Sequence, residues 1–131
     1  LPEPQYNLGR LLADRGERLI AKATLERALT IRPDYPEAHA KLGELLAVQG
    51  MTAEALPHFR EAVRLSPATA LYRSDLGAAL AELGHFEEAV SSLQEAVRLD
   101  PQLRVARGNL DKALSQLAAD EISSDGLRGS R

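Results

Sequence analysis

Residues 36–69, PEAHAKLGELLAVQGMTAEALPHFREAVRLSPAT, and residues 70–103, ALYRSDLGAALAELGHFEEAVSSLQEAVRLDPQL, are two versions of one pattern. Leu42, Gly43, Leu46, Gly50, Ala55, Ala62 and Pro67 return as Leu76, Gly77, Leu80, Gly84, Ala89, Ala96 and Pro101, each 34 positions later. The same step backwards finds Leu8, Gly9, Leu12, Gly16, Ala21, Ala28 and Pro33. Three copies follow one another without insertions, over residues 2–35, 36–69 and 70–103. A fixed period of this length marks an array of stacked units, because one short unit cannot bury its own apolar face.

Within the middle copy, apolar residues from Pro36 to about Gln49 fall at helical spacing. Gly50 ends that stretch, as Gly16 and Gly84 end theirs, and glycine permits the left-handed cap. A second helix is expected from about Thr52 to Leu65, closed by Pro67. Pro57 lies inside it and removes one backbone bond. Proline at Pro2 and Pro36 suits a first helical turn, where the missing N–H has no partner. Gly43 sits in mid-helix, where glycine costs about 1 kcal/mol relative to alanine. Its return in three copies implies close helix pairing, with Gly9 and Ala21, Gly43 and Ala55, and Gly77 and Ala89 as the small residues in contact. After Pro101 the pattern persists only in Leu110 and Leu114. Residues 104–119 are therefore expected to form a capping helix, and residues 120–131 a disordered tail.

The composition narrows the function. A formal net charge of −3 lacks the basic excess of a nucleic-acid binder. There is no cysteine for disulfides or thiolate chemistry, and no apolar run of membrane-spanning length. His39, His58 and His85 stand on three different parts of the repeat, so neither a metal site nor a catalytic pair is expected. His39 is expected to pack in place of an aromatic residue. The glycines are single and periodic, unlike a phosphate loop.

These residues resemble the tetratricopeptide repeat, a 34-residue helix–turn–helix unit. His39, Leu42, Gly43, Leu46, Ala55, Phe59, Ala62 and Pro67 occupy its signature places. Gln5, His39 and Arg73 replace the signature tryptophan, and Leu12, Leu46 and Leu80 the tyrosine. The resemblance implies an all-α right-handed solenoid whose first helices line a concave groove. With Gly43 facing the pair contact and about 100° per residue, Ala40, Glu44 and Ala47 point into that groove, flanked by Glu37, Lys41 and Val48. Transferred along the repeat, the groove gains Glu3, Tyr6, Asn7, Arg10, Ala13 and Asp14 from the first copy. The third copy adds Leu71, Ser74, Asp75, Ala78, Ala81 and Glu82, and the cap adds Val105, Asn109, Lys112, Ser115 and Gln116. The ligand contacts expected from this set are Tyr6, Asn7, Arg10, Lys41, Glu44, Val48, Leu71, Asp75, Glu82, Asn109 and Lys112. Acidic members outnumber basic ones, over a floor of small residues.

Some members of this family hold acidic chaperone tails in a clamp of Lys, Asn and Arg. Here Tyr6 stands where a lysine is needed, Arg10 where an asparagine is, and Leu71 and Asp75 where the final two cations are. The expected function is a non-catalytic protein–protein interaction scaffold holding a peptide or helix, with neither cofactor nor metal. Its ligand is expected to be a basic segment with some apolar side chains, with no nucleic acid and no membrane insertion. The compartment is open, the cytoplasm being favoured. Two alternatives stand beside this: the repeat region of a larger enzyme such as a glycosyltransferase, or a self-assembly module. Leu19 and Ile20, where later copies carry Ala53-Glu54 and Glu87-Glu88, would join a homodimer through the repeat ends.

Overall fold

The computed structural model describes the backbone of residues 1–129 and the side chains of residues 1–126. Within them the chain is all helix, with no strand. The helices are α1 (Pro2–Asp14), α2 (Arg18–Ile31), α3 (Pro36–Val48), α4 (Thr52–Leu65), α5 (Ala70–Glu82), α6 (Phe86–Leu99) and α7 (Arg104–Gly129). The first helices begin at Pro2, Pro36, Ala70 and Arg104, spaced by the sequence period. Helix α4 continues through Pro57.

Each first helix ends in the same way. Gly16, Gly50 and Gly84 adopt φ of 80°, 78° and 84°, a region that a side chain disfavours. That conformation lets the next N–H reach back to the helix: Glu17 donates to Leu12 O, Met51 to Leu46 O and His85 to Leu80 O, each at 2.9 Å. The orphan carbonyls of the last turn are thus satisfied while the chain reverses.

The pairs α1–α2, α3–α4 and α5–α6 pack face to face, and α2–α3, α4–α5 and α6–α7 join successive pairs. First helices also touch along the array, α1 with α3, α3 with α5 and α5 with α7. The result is a right-handed α-solenoid with first helices on its inner face. The mid-helix glycines lie at the tightest points of the pairs. A Cβ on Gly9 would lie 2.8 Å from Leu25 Cγ, one on Gly43 2.8 Å from Phe59 Cε1, and one on Gly77 closer still to Leu93 Cγ. Leu25, Phe59 and Leu93 share one repeat position, so a single steric event recurs three times. Ala21, Ala55 and Ala89 are fully buried beside them.

Helix α7 differs from expectation. It covers the last pair through buried Ala106 and Ala113 and half-buried Leu110 and Leu117. It then continues past Ala119 to Gly129 instead of giving way to a disordered tail. Ala118 stands where Gly16, Gly50 and Gly84 end the other first helices, so no left-handed cap stops it. Residues 130 and 131 of the expected tail lie outside the described residues.

Candidate functional site

The inner face is built from α1, α3, α5 and the first half of α7. On α1, Asn7 and Arg10 are exposed, and Tyr6 is half-buried against Tyr35, ring centroids 5.1 Å apart. On α3, Lys41 Nζ lies 3.5 Å from Asp14 Oδ1 and 3.6 Å from Glu44 Oε2. With Ala13, Arg18, Leu45 and Val48 these three residues line a cleft of about 190 Å³ between the first two units. On α5, Leu71 is exposed, Asp75 is half-buried, and Glu82 accepts a 2.7 Å hydrogen bond from Thr52 Oγ1 at the start of α4. Glu82, Asn109 and Lys112 meet across α5 and α7 around a smaller cleft of about 100 Å³. Two of the expected sets are therefore brought together, Lys41–Glu44–Val48 and Glu82–Asn109–Lys112. Leu71 lines neither cleft.

Electrostatics single out Asp75. Burial, then the nearby Glu44 carboxylate, pushes its pKa up to about 7. It makes no ion pair or hydrogen bond among the described residues, so its charge is held only weakly at neutral pH. Tyr72 is pushed up to about 12, first by burial and then by Glu37, Tyr6, Asp75 and Tyr35. All three tyrosines of the protein thus gather beside Glu37 and Asp75 near the start of the first helices. Arg32 stacks over Tyr35, 4.8 Å from the ring centroid, and reaches Glu3 at 3.9 Å.

Two members of the expected groove set lie beneath the groove instead. Ser74 is fully buried and Ala40 nearly so, because small residues at this position sit where adjacent first helices touch. Ser74 Oγ accepts from Asn109 Nδ2 at 3.3 Å, which ties α7 to α5.

The histidines also depart from expectation. His39 and His58 are not apart: their Nδ1 atoms are 3.2 Å from each other. His39 Nε2 lies 2.8 Å from Pro33 O, a carbonyl that can only accept, so Nε2 carries a proton and donates there. Burial and His39 lower the pKa of His58, helped by Lys22 and opposed by Glu26. A signal for the pair existed in the sequence. Positions 19 apart link first to second helices, as the bond from Ser92 Oγ to Arg73 O also shows. His85 is exposed at the start of α6, in the turn where it was expected. No group of three or more His, Cys, Asp or Glu suited to a metal ion occurs among the described residues. No helix among them is long and apolar enough to cross a membrane.

The tetratricopeptide repeat family matches residues 6–70 and 49–104, most of the chain. The chain belongs to this family. No curated protein matches it. Among solved structures, a mutant O-GlcNAc transferase of Thermobaculum terrenum is 31% identical over 86% of this chain, with a TM-score of 0.80. The chain spans only 22% of that protein's length. MamA from Desulfovibrio magneticus RS-1 is 26% identical, with a TM-score of 0.73, covering 91% of this chain and 73% of that one. The first tetratricopeptide repeat domain of Spaghetti (RPAP3), bound to the HSP90 peptide SRMEEVD, shares the fold at 21% identity. Its TM-score is 0.85, covering 89% of this chain and 93% of that one. Tetratricopeptide repeat domains are typically protein–protein interaction modules, and this chain has their architecture.

Proposed function

We propose that this tetratricopeptide repeat domain is a non-catalytic binding module that holds a basic, partly apolar segment of a partner protein along its inner face. The segment lies extended or as a short helix. The observation that carries this reading is the state of Lys41. It is the cation of the middle unit's inner face, and Asp14 and Glu44 already hold it. Glu37 is exposed, and Asp75 pairs with no cation among the described residues. Val48 and Leu71 supply exposed apolar surface on the same helices.

Spaghetti (RPAP3) binds the acidic peptide SRMEEVD. The present chain carries Tyr6, Arg10, Leu71 and Asp75 where a clamp for such a tail needs lysine, asparagine and two cations. The test is fluorescence anisotropy with two labelled peptides, SRMEEVD and a Lys- and Leu-containing peptide of equal length. The basic peptide is expected to bind more tightly, and more weakly as salt rises. Preference for SRMEEVD would overturn the reading.

Two further readings have support of their own. The likeness to part of an O-GlcNAc transferase favours a role as the repeat region of a larger enzyme, presenting substrate proteins. The exposure of Leu19 and Ile20 favours association of copies through the ends of the array. Light scattering on the parent and a Leu19→Glu, Ile20→Glu variant tests the latter: a parent that is already monomeric would remove it.

A further inference from the structure

The three tyrosines of the chain stand at three different places in the repeat, yet they gather in one spot. Tyr6 holds the position of Ala40 and Ser74, and Tyr72 that of Ala38 and Ala106. Tyr35 immediately precedes α3. Tyr6 reaches it from the unit before, ring centroids 5.1 Å apart, and Tyr72 lies within electrostatic reach of both from the unit after. Each unit thus contributes one ring to the start of the middle first helix. The lattice does not need rings at these positions, since Ala38 and Ala106 are fully buried in their own units.

The cluster is open at its polar edge and acidic around it. None of the three hydroxyls makes a hydrogen bond among the described residues, and none is an unsatisfied buried atom, so all three reach the surface. Glu37 and Asp75 lie beside Tyr72 and pair with no cation among the described residues. One cation of the chain already shows what such a place accepts. The Arg32 guanidinium lies over the Tyr35 ring, 4.8 Å from its centroid, and reaches Glu3 at 3.9 Å. A planar guanidinium can stack on an aromatic face while its N–H fork reaches a carboxylate beside the ring, and a compact ammonium lacks that plane. Tyr72 with Glu37 and Asp75 repeats the combination of ring and carboxylate without a cation of its own.

We propose that this tyrosine cluster is the subsite that reads an arginine side chain of the bound segment, its guanidinium against Tyr6 and Tyr72 and its N–H groups donating to Glu37 and Asp75. This rests on the basic-ligand reading above and adds which cation is chosen and where it sits. Ring and carboxylate together separate arginine from lysine. Charge spread along the inner face favours the two alike.

The test varies ligand and protein separately, by fluorescence anisotropy. Three labelled Leu-containing peptides of one sequence carry arginine, lysine or citrulline, the uncharged isostere of arginine, at a single position. SRMEEVD serves as the acidic control. The parent is expected to bind the arginine peptide several-fold more tightly than the lysine peptide, and the citrulline peptide most weakly of the three. Tyr72→Ala and Tyr6→Ala copy Ala38 and Ala40 of the middle unit, and circular dichroism checks that each folds. Both should bring the arginine and lysine peptides level, whereas Tyr72→Phe, which keeps the ring, should hold them apart. Equal binding of arginine and lysine by the parent would overturn the subsite and leave a basic ligand in place. So would an arginine preference that survives both alanine variants. The first comparison uses the parent alone, so a misfolded variant cannot mask a negative result. A parent that prefers SRMEEVD to all three peptides would overturn the basic-ligand reading as well.

Discussion

At Gly77, helix propensity and packing pull in opposite directions. Replacing glycine in a helix gains about 1 kcal/mol, yet any Cβ here overlaps the side chain of Leu93, which is fully buried. Gly77→Leu is therefore expected to lose on the order of 1–3 kcal/mol in denaturant melts. Parental stability would mean that the contact is not tight. Pairing Gly77→Ala with Leu93→Ala should make the glycine change cheaper than it is alone, since the two side chains share one space. This steric point was legible in the sequence, because a costly glycine returning at one repeat position needs a reason. The His39–His58 contact carries a weaker sequence signal, the regular 19-residue offset that joins first to second helices. It has a pH signature. Because His58 is lowered from its ordinary value, the folded protein holds it neutral, and the unfolded chain binds more protons as pH falls through about 6.5. Stability that depends on neutral His58 is present above that pH and is lost on acidification. Asp75 tilts the other way: its pKa is raised to about 7, so its contribution is lost as pH rises from the usual carboxylate range towards neutrality. Thermal melts from about pH 8 to about pH 5 should separate them. His58→Gln should flatten the acid side, and Asp75→Asn should raise stability at the alkaline end. An acid limb unchanged in His58→Gln would remove the histidine pair as its cause.

Helices were the most legible level of the molecule, and α7 shows where legibility ended. Boundaries of α3 and α4 follow from Pro36, Gly50, Thr52 and Pro67, residues with fixed conformational meaning. The end of α7 has no such marker. Residues 120–126 carry Ile122 as their one large apolar side chain and are exposed throughout, so sequence periodicity has nothing to report there. The two parts of α7 should differ in what they stabilise. Truncation after Ala119 removes only exposed side chains among the described residues and should leave the melting temperature nearly unchanged. Truncation after Leu103 uncovers the faces of α5 and α6 that Ala106, Leu110 and Ala113 shield. Each large aliphatic exposed forfeits roughly 1.5–3 kcal/mol, so the melting temperature should fall by many degrees. Equal melting temperatures for the two truncations would show that α7 does not seal the array.

For the whole molecule, the inner face combines a shape set by the repeat with charges the repeat does not fix. The lattice places one side chain of each first helix at each groove position, which is why helical geometry alone names the groove candidates. It could not say which charges are already neutralised, because that depends on contacts between units such as Lys41 with Asp14 and Glu82 with Thr52. A charge-reversal test should therefore spare those contacts where it can. Glu37 is exposed and forms no ion pair among the described residues, and Glu44 shares Lys41 with Asp14. Glu37→Lys, Glu44→Lys changes the sign of two inner-face groups and leaves the Glu82–Thr52 bond and the buried core in place. Exposed ion pairs contribute only about 0–1 kcal/mol, so the variant should melt close to the parent. Binding of the basic peptide should fall, mainly through slower association, because complementary charge acts chiefly on encounter. The raised pKa of Asp75 adds a second signature. A cation arriving beside it favours the ionised carboxylate and releases a proton, so affinity should rise as pH passes from about 6 to about 8. Asp75→Asn should abolish that rise while leaving the salt dependence due to Glu37 and Glu44. If the double variant binds the basic peptide as well as the parent at low salt, the ligand does not lie along the inner face.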